Sequence, residues 1–147
     1  MPEEKNFQNI DTILQHISSL LAKESDQLLL EQFGIGYAQY RVLILLKLDK
    51  PMIQMKLAQD LLQSEPSVSR QMKLLESKLL ITRYLDPINK KVRCVCLTQL
   101  GFRLISSAKI LIVRRNLKLL EDINKRSKIQ LVTSLNTLSD LVLKNNL

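Results

Sequence analysis

The residues with most to offer chemically fall in two short stretches. In EPSVSRQMKLLESKLL, Glu65 to Leu80, the side chains of Ser67, Ser69, Arg70, Gln71 and Lys73 line one side of a segment whose other side is apolar. Hydroxyls, amides and guanidinium groups can reach the edges of bases in a groove, and cations meet phosphates. Further on, Lys90, Lys91 and Arg93 add three positive charges just after a turn signal. Cys94 and Cys96 follow directly and suggest a different chemistry. Cations beside a thiol favour the thiolate, so an oxidant-sensing pair is a second reading of this stretch. Against it, small cysteines are common apolar filler in strands. A bridge between the two is disfavoured, since residues two apart on a strand lie roughly 6.5–7 Å apart, at or beyond the disulfide limit.

A solvated charged face is the ordinary explanation of one amphipathic helix, and the flanking elements argue against it here. Ser64, Glu65 and Pro66 form a helix start, because Pro is tolerated where the first-turn N–H groups lack carbonyl partners. Val68, Met72, Leu75 and Leu79 recur at four, three and four residues, predicting one apolar stripe turned toward a core. The segment from Gln54 to Leu62 reads as a support helix before it. Behind it, Ile81 to Leu85 alternates, Asp86 to Lys90 (DPINK) is a turn, and Lys91 to Leu97 alternates again. That is a β-hairpin with a basic tip. A hairpin after a helix-turn-helix is a winged helix, with one helix suited to a major groove and the ribbon to the adjacent minor groove. Between Pro66 and Arg93 stand seven cations and two acids, Glu76 and Asp86.

The other segments are helical and strongly apolar. Phe7, Ile10, Leu14, Ile17, Leu21 and Leu28 make a heptad seam in a first helix that runs to about Glu31 and is closed by Gly34. A second helix is predicted from Tyr37 to about Leu48. A long helix opens at Thr98-Gln99-Leu100-Gly101 and runs to about Asn124. A last one spans Lys128 to Asn145, with Leu131, Leu135, Leu138 and Val142 in register. These terminal helices have more apolar surface than one small domain can bury, which points to a second copy of the chain. The fold class expected is therefore mainly α with a small β-hairpin wing. Residues 37–98 would form the winged helix-turn-helix domain, and residues 1–35 and 99–147 the dimerisation helices.

Composition agrees with a polyanionic partner. The chain of 147 residues holds 22 Lys and Arg against 14 Asp and Glu, for a net charge of +8. The acidic excess lies in residues 1–53, with five cations against seven acids, and the basic surface begins with the two-helix unit. No apolar run approaches the roughly 18–20 residues that span a bilayer, and the first residues are polar, so no membrane partner and a cytoplasmic location are expected. One His, no Gly-rich phosphate loop and no Cys/His cluster leave nothing to carry catalysis or hold a cofactor or metal. A winged-helix dimer that binds only protein is the remaining alternative, and the basic ribbon speaks against it.

In the order of its elements, the chain resembles the MarR family of bacterial transcriptional regulators over nearly its whole length. The resemblance is carried by GIGYAQYRVLILL, by KLAQDLLQSEPSVSRQMKLLESKLLITR and by DPINKKVRCVCLTQLG. Leu75-Glu76, Leu80, Arg83, Leu97-Thr98 and Gly101 match positions characteristic of that family. Three positions depart: Leu79 replaces the Gly that normally ends the reading helix, Asn89 replaces a wing aspartate, and Lys91 replaces a wing arginine. The resemblance implies a homodimeric, sequence-specific DNA-binding regulator, a repressor in the first instance, with a near-palindromic operator as partner. It also implies a small aromatic or anionic effector in a cleft between the dimerisation helices and the winged domain, where His16, Tyr37, Tyr40 and Arg41 are the candidate groups.

Overall fold

The structure, a computed structural model, describes residues 9–145. Phe7, the first position of the expected seam, lies outside them. The chain divides into two compact units, residues 1–109 and 110–147.

In the first unit, helix α1 (Ile10–Phe33) ends where Gly34 takes φ +65 and its N–H returns to the Leu30 carbonyl. Helix α2 (Tyr37–Leu45) starts two residues later, and α1 caps it: Asp26 Oδ1 accepts from the Tyr37 N–H at 2.7 Å. That oxygen sits 3.0 Å from where a Cβ on Gly36 would lie, so the glycine makes room for the cap. Helix α2 stops at Leu45, three residues short of the expected end. Residues 46–50 leave it to bridge toward the sheet, with Asp49 at φ +56 and Leu48 opposite Leu97.

A short strand β1 (Met52–Ile53), not foreseen in the sequence, leads into helix α3 (Gln54–Asp60), and helix α4 (Glu65–Ser77) follows the turn. The predicted start of α4 holds. Ser64 is the cap, its hydroxyl accepting from the Ser67 N–H at 3.4 Å, with Pro66 in the first turn. The hairpin strands β2 (Ile81–Leu85) and β3 (Arg93–Leu97) pair antiparallel from Ile81 opposite Leu97 to Leu85 opposite Arg93. Strand β3 begins two residues later than expected and is central, in the order β1-β3-β2. It buries Cys94 and Val95 in succession, so a strict alternation fails. Val68, Met72 and Leu75 of α4 are completely buried against this core, together with Leu43 of α2 and Leu57 of α3.

The fourth member of the predicted stripe is a correction. Leu79 is 70% exposed, at φ +59, outside the helix. Its N–H bonds the Glu76 carbonyl and the Leu80 N–H bonds the Leu75 carbonyl, the Schellman arrangement that favours glycine at this place. Helix α3 ends in the same way, with Leu62 at φ +53 and 82% exposed. A Leu in left-handed conformation costs about 1–2 kcal/mol relative to an unstrained one, and an exposed side chain recovers little of it. Leu79→Gly is therefore expected to raise stability by about 0.5–1 kcal/mol, read as a higher urea midpoint with an unchanged m-value.

Helix α5 (Gln99–Leu119) crosses from the first unit into the second. Thr98 caps its start, accepting from the Gly101 N–H at 3.0 Å while its own hydroxyl donates to the Leu79 carbonyl at 2.7 Å. In the second unit α5 ends at Leu119, and α6 (Lys125–Asn145) begins three residues earlier than expected. The cause is Asn124, whose side chain accepts from the Ser127 N–H at 2.9 Å. None of the residues of α6 is buried.

Candidate nucleic-acid interface

Helix α4 turns Val68, Met72 and Leu75 inward, and that orientation presents its other face. Arg70 and Lys73 are exposed, while Ser67, Ser69 and Gln71 are half-buried along its flanks. Leu74 is also exposed beside them, an apolar side chain on a face read from sequence as polar. The cap at Ser64 leaves the helix N-terminus, with its partial positive charge, at the same end as Ser67.

Two shallow clefts relate the wing to this helix. One, of about 250 Å³, is lined by Ile53, Gln54, Met55, Glu65, Lys91, Val92 and Arg93, which brings two wing cations to the start of α4. The other, of about 290 Å³, is lined by Glu76, Arg83, Tyr84, Leu85 and Arg93. Arg93 borders both, so the wing runs alongside α4. Lys90 and Lys91 stand exposed in the turn before β3.

The brace between wing and helix is an ion pair. Arg83 Nε donates to Glu76 Oε2 at 3.0 Å, with the guanidinium side chain only 16% exposed. Asn89, where the resembling family has an aspartate, orders the turn itself: its Oδ1 accepts from the Lys91 N–H at 3.2 Å. It leaves the Lys91 ammonium free to reach outward.

The four candidate effector groups are not brought together within the chain. Tyr37 and Tyr40 stack with ring centres 6.0 Å apart, but Tyr40 is buried, and Arg41 donates to the Leu61 carbonyl at 3.3 Å. His16 is exposed on α1. It lies ten residues before Asp26, the residue that holds Tyr37, which is about 15 Å along a helix rising 1.5 Å per residue. Packing accounts for Tyr40, and backbone satisfaction for Arg41.

The cysteines also read as packing. Cys94 is 7% exposed and Cys96 half-buried, both as free thiols. An oxidant-sensing thiolate needs access that Cys94 does not have. Desolvation at the sheet pushes the phenol of Tyr84, paired with Cys94, above its usual range, and ionised Cys94, Cys96 and Asp86 would push it the same way. Among the described residues no cluster of His, Cys, Asp or Glu has the makings of a metal site, and no helix is long and apolar enough to cross a membrane.

Sequence inspection missed the residues that hold the interface in place. Lys78, just past α4, donates to the Gly34 carbonyl at the corner between α1 and α2 and to Gln39 Oε1 at 3.4 Å. Nothing local to Lys78 signals a partner 44 residues away.

Helix, turn, helix and hairpin in this arrangement define a winged helix-turn-helix protein. Its fold is that of MarR-family transcriptional regulators, as the sequence resemblance implied. A MepR–DNA complex from S. aureus superposes with a TM-score of 0.77 at 25% identity, covering 89% of this chain and 96% of that one. A MarR/EmrR family transcriptional regulator from Acinetobacter sp. ADP1 gives 0.80 at 25% identity, covering 93% and 96%. The transcriptional regulator BldR from Sulfolobus solfataricus, at 18% identity, shares the fold over 95% of this chain and 98% of its own, with a TM-score of 0.80. No family sequence model and no curated protein sequence matches the chain.

Proposed function

We propose that this protein is a homodimeric, sequence-specific DNA-binding transcriptional regulator, a repressor in the first instance, and not an enzyme. The observation that carries the reading is the juxtaposition of an N-capped helix exposing Arg70 and Lys73 with a wing whose Lys91 and Arg93 border that helix's first turn. Its likeness to MepR, solved with DNA, supports the same partner. In this reading Arg70, Gln71, Ser67 and Ser69 face base edges and phosphates of a major groove, Lys73 a phosphate, and Lys90, Lys91 and Arg93 the backbone beside the minor groove. A repressor of this kind would act by occupying its operator in the cytoplasm. An effector, if the protein answers to one, would act by shifting the population between reading-helix spacings.

The dimer is supported by each unit separately. In the first, Ile10, Ile13, Ile17 and Leu20 of α1 are exposed, and in the second Leu131, Leu135 and Val142 lie in one row of α6 and are exposed as well. Two copies related by a twofold axis would place their reading helices about 10 bp apart on a near-palindromic site. Leu135→Glu puts a carboxylate into that contact and is expected to raise the dimer dissociation constant about tenfold, equivalent to about 1.4 kcal/mol. Sedimentation equilibrium reads the change, and an unaltered constant would place the contact elsewhere.

Selection of bound duplexes from a random-sequence pool tests the whole reading. Recovery of an inverted repeat is the expected result. No enrichment, with no shift of any duplex at low salt, would refute it.

A further inference from the structure

We propose that Ile88, at the tip of the wing, is an apolar wedge that enters the minor groove and partly unstacks a base step, so that the protein selects its sites by the ease of deforming DNA as well as by base edges. This rests on the DNA-binding reading above and deepens it. Ile88 is 97% exposed, the most exposed of the large apolar side chains described. A large aliphatic group so fully in water gains from any apolar contact, and a pair of stacked bases offers one when opened.

The tip is built to hold that side chain out. Asp86 Oδ1 accepts from the N–H groups of both Ile88, at 2.9 Å, and Asn89, at 2.7 Å. The Asp86 N–H donates to the Val92 carbonyl at 2.9 Å, and the Val92 N–H to the Asn89 carbonyl at 2.8 Å. Pro87 fixes its own φ between these bonds, and the β-branched Ile is stiff at χ1. Little conformational freedom is left to lose when the tip is inserted.

Charge chooses the partner. Lys90 and Lys91 follow Ile88 after Asn89 and are exposed, and Arg93, also exposed, opens β3 just beneath the tip, opposite Leu85. This cationic collar would repel a second copy of a chain of net charge +8, and it suits a groove walled by phosphates. A single Ile buries too little to hold a lipid surface. Lysines meet phosphates as point charges and do not grip base edges as the fork of Arg does. At the tip, selectivity then falls to the wedge, which favours pyrimidine–purine steps because these unstack most readily.

The test compares the full-length protein with Ile88→Ser and with Lys90→Ala/Lys91→Ala, all surface changes that leave the core alone. The probes are a 30-bp random-sequence duplex and the duplex recovered by selection, the latter carrying 2-aminopurine at the step beneath the wing. Wild type is expected to bend the selected duplex by about 20–90° and to brighten the 2-aminopurine. Ile88→Ser should lose both signals, bind the selected duplex on the order of tenfold more weakly, and keep its salt dependence. The double lysine variant should keep the bend and lose about two from the salt slope. Equal bending and equal step preference for wild type and Ile88→Ser would overturn the wedge while leaving DNA binding intact. Wild type that binds but leaves the duplex straight would overturn it too. Binding to phosphatidylserine vesicles that depends on Ile88, with duplex binding indifferent to it, would assign the tip to lipid instead. Wild type that binds neither duplex refutes the functional reading, and the wedge falls with it.

Discussion

Gly101→Ala is expected to destabilise the protein by about 3–5 kcal/mol, a third or more of the stability of an ordinary domain. A Cβ at this position would lie 2.0 Å from the Leu80 carbonyl oxygen, 2.9 Å from the Leu80 carbonyl carbon and 2.9 Å from Leu97 Cδ1. The nearest obstacle is backbone, and that backbone is committed. Leu80 supplies the acceptor for the Thr98 N–H at 3.1 Å and pairs back to the end of α4 through its own N–H. Relief would require α5 to move off the start of β2 and break the Thr98 cap, which bonds both Leu79 and Gly101. Overpacking of a tight site commonly costs about 1–3 kcal/mol, and the clash with a hydrogen-bonded carbonyl places this site above that range. Urea unfolding followed by circular dichroism measures it. A midpoint within error of wild type would mean that α5 slides without penalty and that this close approach does not hold the wing exit.

Arg70→Ala should weaken binding to the selected operator by about 1–3 kcal/mol, roughly 5- to 150-fold, and relax the preference at one base pair in each half-site. Arg70 is exposed on α4, directly between Ser69 and Gln71, with no acidic side chain paired to it among the ion pairs of the described residues. It is thus free to make a two-pronged contact with a guanine through its planar fork. Lys73, one turn further along, serves as the contrast. Its removal should weaken binding evenly across sequences and lower the salt slope by about one. Fluorescence anisotropy titrations at several salt concentrations separate the two. If Arg70→Ala behaves as Lys73→Ala does, Arg70 contacts phosphate and sequence is read elsewhere on the helix.

These two positions differ in what makes them visible. Arg70 and the wing lysines could be found from sequence because the helix start at Ser64-Glu65-Pro66, the 4-3 spacing of Val68, Met72 and Leu75, and the alternation on either side of DPINK are all local signals. Each depends on a few adjacent residues and on the fixed periods of helix and strand. Gly34 ending α1 and Asn124 starting α6 belong with them, although at α6 the apolar period that begins later is the more conspicuous signal.

What tertiary structure alone decided were the pairings between distant residues. Strand β1 is two residues long and exists because Met52 and Ile53 find Val95 and Cys94 across the sheet. Arg41, a candidate effector group, donates to the Leu61 carbonyl 20 residues away. Lys78 reaches the corner after α1, and Arg83 folds back on Glu76 to steady the wing. Leu79 fitted the stripe by period and left it because the chain must turn there, which only the hydrogen bonds of the helix end reveal. A local period states which face is apolar, whereas a buried donor or a reversing chain is settled by whichever group the packing brings within reach. For this protein, the sequence determined that a cationic helix and ribbon would be exposed, and the packing determined how rigidly they are held to one another.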